Sequence, residues 1–345
     1  MNFKTIRARA PLRLGLAGGG TDISPYCDTY GGAVLNATID RYAYATIEKN
    51  NSNLVQFCAQ DFNLEEECKL EEFNSYNFKL ILHKEIYKFA IEKLNDSKFI
   101  PVKLSTFCDA PAGSGLGSSS TLVVAMLKAF FEYFDKSINN YDLAKIAYDI
   151  ERIKCNMAGG RQDQYSATFG GLNFMEFNAN FKSLITPLRI NQSILCELEA
   201  SIILYFTGKS RDSSKIINDQ SNNVQNKLKS SLNSMHAMKK EAFNMRDAIL
   251  LNDLKSFVDS IKNGWLNKKK SSAAVSNKFI ESIYDTAISN GALAGKVSGA
   301  GGGGFMWFYV HSSNRIKLVN SLLPLGGVVS NCHFVQTGAQ SWRVD

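Results

Sequence analysis

The chain has 345 residues, 45% hydrophobic and 21% charged, the composition of an ordinary soluble globular protein and enough chain for two lobes or one large α/β unit. No uncharged apolar run reaches about 18 residues and the N-terminal MNFKTIRARAPL has no apolar signal core, so neither membrane insertion nor export is indicated and the cytoplasm is the expected compartment. Seven scattered cysteines without a C-x-x-C pair fit a reducing compartment and argue against a disulfide framework or a zinc site, while the net charge of +7 lies wholly in Lys209–Lys270, with 13 basic against 6 acidic residues.

Phe3 to Ala10 alternates and reads as a strand. It runs into APLRLGLAGGGTD, where Arg13, the glycines Gly18, Gly19 and Gly20, Thr21 and Asp22 fall close together. Such glycines allow a close backbone approach, and Asp22 either accepts hydrogen bonds from hydroxyls or caps a turn. Gly31 and Gly32 precede strand-like text at Ala33–Ile39 and Tyr42–Glu48. After the acidic stretch Glu65–Glu72, a helix is expected from about Lys79 to Leu94, then a strand from Phe99 to Phe107.

Between that strand and an apolar helix, Thr121–Phe134, lies PAGSGLGSSS: Pro111, Gly113, Ser114, Gly115, Leu116, Gly117, then Ser118, Ser119 and Ser120. A glycine loop feeding a buried helix N-terminus presents free N–H groups and a positive dipole end, which suits phosphate. Ser118 and Ser119 can cap the helix or hold a phosphate-bound Mg2+. A plain turn with a serine cap is the bland alternative. Neither a Walker A loop nor a G-x-G-x-x-G fingerprint fits, because no lysine follows Gly117 and the position after it is Ser118.

Asn140 is expected to cap a helix with Leu143, Ile146, Ala147, Ile150 and Ile153 on one stripe and Glu151 at its edge. An acid there can reach a pocket or be a solvated helix charge, and spacing alone favours the solvated charge. Asp163 stands between two glutamines, after Gly159, Gly160 and Arg161, and both a catalytic and a structural reading are open. Strands follow at Leu172–Phe177 and Ile202–Phe206; the TGKSR after the second is not a Walker A loop, because the glycine required five positions before Gly208 is Ile203. Asp212 to about Leu266 reads as polar and helical, and its basic surplus is either a solvated face or an attractor for a phosphorylated ligand. No aromatics interleave those charges, so nucleic-acid binding ranks low. A helix at Asn277–Ser289, the motif KVSGAGGGG (Lys296–Gly304) and a strand at Phe305–Val310 complete the pattern, the third glycine motif packing on the first glycine loop.

The AP-x-R segment with its glycines and Asp22, the central PAGSGLGSSS and the C-terminal KVSGAGGGG, in this order and over nearly the whole chain, resemble the GHMP kinase superfamily. The Glu151 to Asp163 spacing is similar to that of galactokinase-like members, which carry a glutamate about a dozen residues before the aspartate of an M-D-Q segment. This resemblance implies an α+β fold, with a ribosomal protein S5 domain 2-like N-terminal domain (1–180) binding ATP and a ferredoxin-like C-terminal domain (181–345). It implies ATP-dependent phosphoryl transfer to a small-molecule hydroxyl, with Mg2+. Pro111, Gly113, Ser114, Gly115, Leu116, Gly117, Ser118 and Ser119 would hold ATP, and Ser118 or Ser119 with Glu151 the metal. Asp163 would deprotonate the acceptor and Arg13 would stabilise it.

Where galactokinases read G-E-H-x-D, this chain has Gly18-Gly19-Gly20-Thr21-Asp22, which argues against galactose. APLRLGLAGGGTD and GGAVLNATIDRYAY resemble the D-glycero-D-manno-heptose 7-phosphate kinases and, more distantly, the GHMP part of fucokinases. The first resemblance implies phosphorylation of the anomeric hydroxyl to a 1,7-bisphosphate, on the route to GDP-heptose and surface polysaccharide. Gly18, Gly19, Gly20, Thr21, Asp22, Gly299 and Gly301 would contact the sugar, and Lys209, Arg211 and Arg161 are the candidates for its phosphate. The expected partner is thus a small sugar phosphate, with no membrane or nucleic acid and a homodimer left open. The competing readings are a kinase for a free sugar such as fucose, and a catalytically silent sugar sensor on the same fold.

Overall fold

The computed structural model describes residues 5–180, 182–208 and 213–344. The first lobe is built on β1 (Thr5–Ala17), β2 (Gly32–Lys49), β3 (Leu54–Ala59), β4 (Leu64–Lys69), β5 (Val102–Cys108), β6 (Leu172–Phe177) and β7 (Ser183–Pro187), with helices α1 (Tyr26–Tyr30), α2 (Ile81–Leu94), α3 (Ser118–Tyr133), α4 (Asn140–Tyr148) and α5 (Gln162–Phe169). Two expected strands, at Ala33–Ile39 and Tyr42–Glu48, are one long β2, which pairs with β6 along its first part and with β5 along its second. The strand expected to end at Ala10 runs on to Ala17, because β1 and β2 stay paired through Pro11 with a register shift before Arg13. Such a bulge re-aims side chains, and here it precedes the arginine of the site.

The acidic stretch Glu65–Glu72 begins in β4, where Glu65 to Lys69 pair with β3 at the edge of the sheet with Cys68 buried and Glu65 and Glu67 exposed, and ends in a short 3-10 turn, Leu70–Glu72. The α4 cap is Asn139, whose side chain accepts from the Asp142 amide at 2.9 Å, rather than Asn140. Beyond Tyr148 the helix widens into a π-helical turn, Asp149–Lys154. The wider turn shifts the phase of the stripe, so Ile153 is 60% exposed while Glu151 is fully buried, the reverse of the spacing expectation.

The second lobe holds α6 (Gln192–Ser201), β8 (Ile202–Phe206), α7 (Ser214–Gln225), α8 (Lys229–Leu250), α9 (Leu254–Ser271), α10 (Lys278–Ser289), β9 (Ala292–Val297), β10 (Phe305–Val310), α11 (Arg315–Leu322) and β11 (Val328–Asn331). Its antiparallel sheet has the order β11-β8-β10-β9, the ferredoxin-like arrangement. The run FMWFYV of β10 is buried throughout because both faces of that strand are covered. Met306, Phe308 and Val310 meet Trp265, Ile280 and Ile283 on one face, and Phe305, Trp307 and Tyr309 join a core with Leu12, Leu14 and Phe174 of the first lobe on the other. The last strand, β12 (Gln340–Val344), returns to pair with β1, so hydrogen bonding crosses the 180/181 division there and again between β6 and β7. No described helix is long and apolar enough to cross a membrane.

One core group makes a pH-dependent contribution to this fold. His83 of α2 is buried against Phe57, its Nε2 2.9 Å from Thr106 Oγ1, and burial lowers its pKa from 6.5 to about 4. The folded value lies below the unfolded one, so this contribution is present above pH 6.5 and is lost as pH falls through the folded pKa of about 4. Urea titrations between pH 7 and pH 4 should show a loss of up to about 3 kcal/mol from this group. His83→Gln should flatten that part of the profile; an unchanged slope would place the acid sensitivity elsewhere.

Candidate active site

The strand β5 delivers the chain into the 109–117 loop, and the loop into α3. Gly115 sits at φ +86°, where a Cβ would lie 2.5 Å from the Ser298 carbonyl oxygen, and Gly117 sits at φ +79°, where a Cβ would press on the Asp163 carboxyl at 3.2 Å. Only glycine permits the loop to pass between the second lobe and Asp163. The Ser114 carbonyl accepts the Phe305 amide at 2.7 Å and Ser298 Oγ donates to the Gly115 carbonyl at 2.9 Å. Two glycine motifs therefore meet, as expected from the sequence. Among the described residues no side chain caps α3, and its first turn faces a cleft lined by Gly113, Gly115, Gly117 and the three serines Ser118, Ser119 and Ser120.

Two carboxylates face this helix end. Asp163, in the first turn of α5, takes both Arg13 Nε and Arg13 Nη2 on Oδ1 at 2.8 Å, and Arg13 Nη1 donates to the Gly115 carbonyl. Arg13 is 4% exposed and Asp163 18%, so the pair is shielded yet open to the cleft. Glu151, turned inward by the π-helical turn, accepts Ser119 Oγ at 2.7 Å, Gln164 Nε2 at 2.7 Å and an ion pair from Arg152 at 3.1 Å. A carboxylate and hydroxyls in contact at a phosphate-suited helix end are hard oxygen donors of the kind Mg2+ takes, and the donor set fits that ion with phosphate completing its shell. Among the described residues no group of three or more His, Cys, Asp or Glu could hold a metal by itself.

Asp22 is almost fully buried and accepts three donors: the amide of Gly20 at 3.0 Å, the amide of Gln162 at 3.0 Å and Gln162 Nε2 at 3.1 Å. It thereby ties the first glycine turn to the start of α5, the helix that carries Asp163. Gln162 Oε1, buried beside Gly19, has no hydrogen-bond partner among the described residues.

Of the residues singled out from sequence, Arg13, Gly19, Gly20, Asp22, Gly113, Gly115, Gly117, Ser118, Ser119, Glu151, Asp163 and Gly299 line this cleft together. Gly18 and Thr21 are packed beneath it, Thr21 Oγ1 donating to the Gly18 and Ala33 carbonyls. Leu116 is buried in the core shared by the lobes, Pro111 is exposed at the loop's start, and Gly301 packs on Val275. Arg161 is engaged away from the cleft, with Asp28 and the Asn178 carbonyl. Lys209 and Arg211 lie outside the described residues.

Sequence reasoning overlooked Gln162, Arg152, Lys268 and Lys296, all of which line the cleft. Lys268 lies in a run of three lysines that periodicity cannot separate from surface charges. Lys296 opens the KVSGAGGGG motif, a position that could have marked it. Burial, then the nearby Lys268 and Arg13, lowers the Lys296 pKa well below the ordinary lysine value.

Comparison with known proteins identifies the family. The family described as GHMP kinases N terminal domain matches residues 81–171, and GHMP kinases C terminal matches residues 245–320. The chain is 43% identical to a D-glycero-alpha-D-manno-heptose 7-phosphate kinase of Campylobacter jejuni, covering 99% of this chain and all of the relative. A solved D-glycero-D-manno-heptose 1-phosphate kinase of Bacteroides thetaiotaomicron superposes with a TM-score of 0.81 at 38% identity, over 99% of both chains. Galactokinase of Lactococcus lactis, at 16% identity, shares the fold alone with a TM-score of 0.78 over 97% of this chain and 95% of that one. With 43% identity carried from end to end and both lobes matched, the chain belongs to the GHMP kinase family.

Proposed function

We propose that this kinase transfers the terminal phosphoryl group of ATP to the anomeric hydroxyl of D-glycero-D-manno-heptose 7-phosphate, giving the 1,7-bisphosphate. The observation that carries the reading is the Arg13–Asp163 pair, held at 2.8 Å beside the open end of α3, in a chain 43% identical to a heptose 7-phosphate kinase. In this reading the amides of the 113–119 loop hold the ATP phosphates. Asp163 takes the proton of the sugar hydroxyl as its oxygen bonds to the γ-phosphorus, and the bond from that phosphorus to the β,γ-bridging oxygen breaks to release ADP. Arg13 keeps Asp163 anionic and faces the charge that builds on the transferring group. Ser118 or Ser119 and Glu151 would hold Mg2+, which when bound neutralises phosphate charge. Positioning and electrostatics supply the catalysis, as phosphoryl transfer requires.

The sugar is tested by ADP release with MgATP against heptose 7-phosphate, heptose 1-phosphate, free heptose, fucose, mannose, galactose and mevalonate. Turnover of heptose 7-phosphate at a kcat/KM on the order of 100-fold above any unphosphorylated sugar is expected, the scale of binding that a charged phosphate contact contributes. Fucose turned over equally well would move the assignment to a free-sugar kinase. Bound ATP with no turnover of any of them would favour a sensor.

A further inference from the structure

Two glutamines line the cleft on either side of the first glycine turn, Gln162 at the start of α5 and Gln220 in α7. Both are buried, at 8% and 3% exposed. Their neighbours settle which end of each amide faces the turn. Gln162 Nε2 lies 3.1 Å from Asp22 Oδ1, and an ionised carboxylate only accepts, so the nitrogen belongs there and Oε1 turns away. Ser271 Oγ gives its proton to the Lys268 carbonyl at 2.7 Å, so it accepts from Gln220 Nε2 at 2.8 Å and Gln220 Oε1 turns away. Each acceptor thereby comes to lie beside the turn. A Cβ on Gly19 would stand 4.0 Å from Gln162 Oε1, and one on Gly20 would stand 3.7 Å from Gln220 Oε1. Gln162 Oε1 is buried with no hydrogen-bond partner among the described residues, an unfavourable state for an amide oxygen that a hydroxyl donor relieves. Gly19 supplies an independent observation. Its φ is not left-handed and a Cβ there would meet its neighbours only at 3.6 Å or more, so neither backbone nor packing demands glycine. The missing side chain keeps the space beside Gln162 Oε1 open.

We propose that Gln162 and Gln220 determine specificity for the sugar, their amide oxygens accepting hydrogen bonds from two of its ring hydroxyls over the Gly19–Gly20 turn. The assignment rests on the sugar-kinase reading of the site. Asp22, whose carboxylate already holds three protein donors, then acts through Gln162 rather than on the sugar itself. Because Gln162 directly precedes Asp163 on α5, a hydroxyl held by its side chain registers the sugar against the base. The ribose of ATP offers the same hydroxyl chemistry, and the experiment separates the two sources.

The test measures kcat/KM with MgATP for heptose 7-phosphate and for its monodeoxy forms at the second, third and fourth carbons, in the wild type, Gln162→Met and Gln220→Met. Methionine keeps the length of the side chain and removes the acceptor, and thermal melts check folding. For each glutamine, the wild type should use one deoxy form roughly 10- to 100-fold less well, the loss for a buried acceptor left without its donor. Each variant should lose a similar factor on heptose 7-phosphate itself. Within that variant the matching deoxy form should lose less than about threefold further, because the contact is already gone. KM for MgATP should stay within about threefold of wild type. A glutamine that only ties the fold would lower all four sugars alike and leave every deoxy penalty unchanged, which would overturn the proposal. A rise confined to KM for MgATP would also overturn it, by giving the contact to the ribose. Should Gln162→Met fold poorly because Asp22 loses a donor, Gly19→Ala leaves both amides in place and fills the space between turn and amide. KM for the sugar should then rise roughly tenfold, and an unchanged value would sink the assignment. Failure of the wild type to use heptose 7-phosphate would instead overturn the substrate reading. The comparison then runs on the deoxy forms of the sugar that does turn over, so the two failures are distinct.

Discussion

Asp163→Asn is expected to lower kcat by about 10²–10⁴-fold while leaving KM for MgATP nearly unchanged. The amide is the same size as the carboxylate and can still accept from Arg13, so the geometry of the α5 start survives. What disappears is the negative charge that, in the proposed mechanism, takes a proton, and that balances the Arg13 guanidinium at 2.8 Å. Single-turnover phosphoryl transfer, measured beside a thermal melt, reads the chemical step apart from folding and product release. A kcat within about tenfold of wild type would remove Asp163 from the role of base, since general base catalysis contributes more than that.

Glu151→Gln should act on a different quantity. The Mg2+ concentration giving half-maximal rate should rise on the order of 10-fold or more, because a neutral amide is a poor ligand for a hard cation. The same change leaves Arg152, 10% exposed, without its carboxylate at 3.1 Å. Removing one partner of a buried ion pair costs about 3 kcal/mol or more, so the melting temperature should fall as well. Rate against free Mg2+ at fixed ATP separates the two roles. A lower melting temperature with an unchanged Mg2+ dependence would make Glu151 a structural acid alone.

Three strands were legible in the sequence to the residue: Leu172–Phe177, Ile202–Phe206 and Phe305–Val310. Apolar runs between glycines or polar breaks leave little freedom about where such a strand begins and ends. Glu151 shows the limit of the same reasoning. Periodicity assumes a constant 3.6 residues per turn, and the π-helical turn at Asp149–Lys154 breaks that assumption where the acid enters the site. Only the resemblance to known kinases raised Glu151 and joined Arg13 with Asp163, 150 positions apart in the chain. Lys268 was hidden for another reason. In sequence it matches Lys269 and Lys270, and only the packing of α9 against the first lobe sets it apart.

The double-sided burial of β10 also limits how the enzyme admits its substrates. Swinging the lobes apart like a clam would strip Phe305, Trp307 and Tyr309 from Leu12, Leu14 and Phe174. Each large apolar side chain so exposed costs about 1.5–3 kcal/mol, so rigid opening along that seam is unfavourable by far more than thermal energy. Met157 and Ala158 of the 156–160 turn, Ser213 just before α7 and Ile217 within it line the cleft without belonging to the shared core, and passage of substrates is expected to involve these segments. The shared core thus fixes the frame of the two lobes, and the rate of substrate exchange is expected to respond to substitutions in these short segments rather than to changes at the seam.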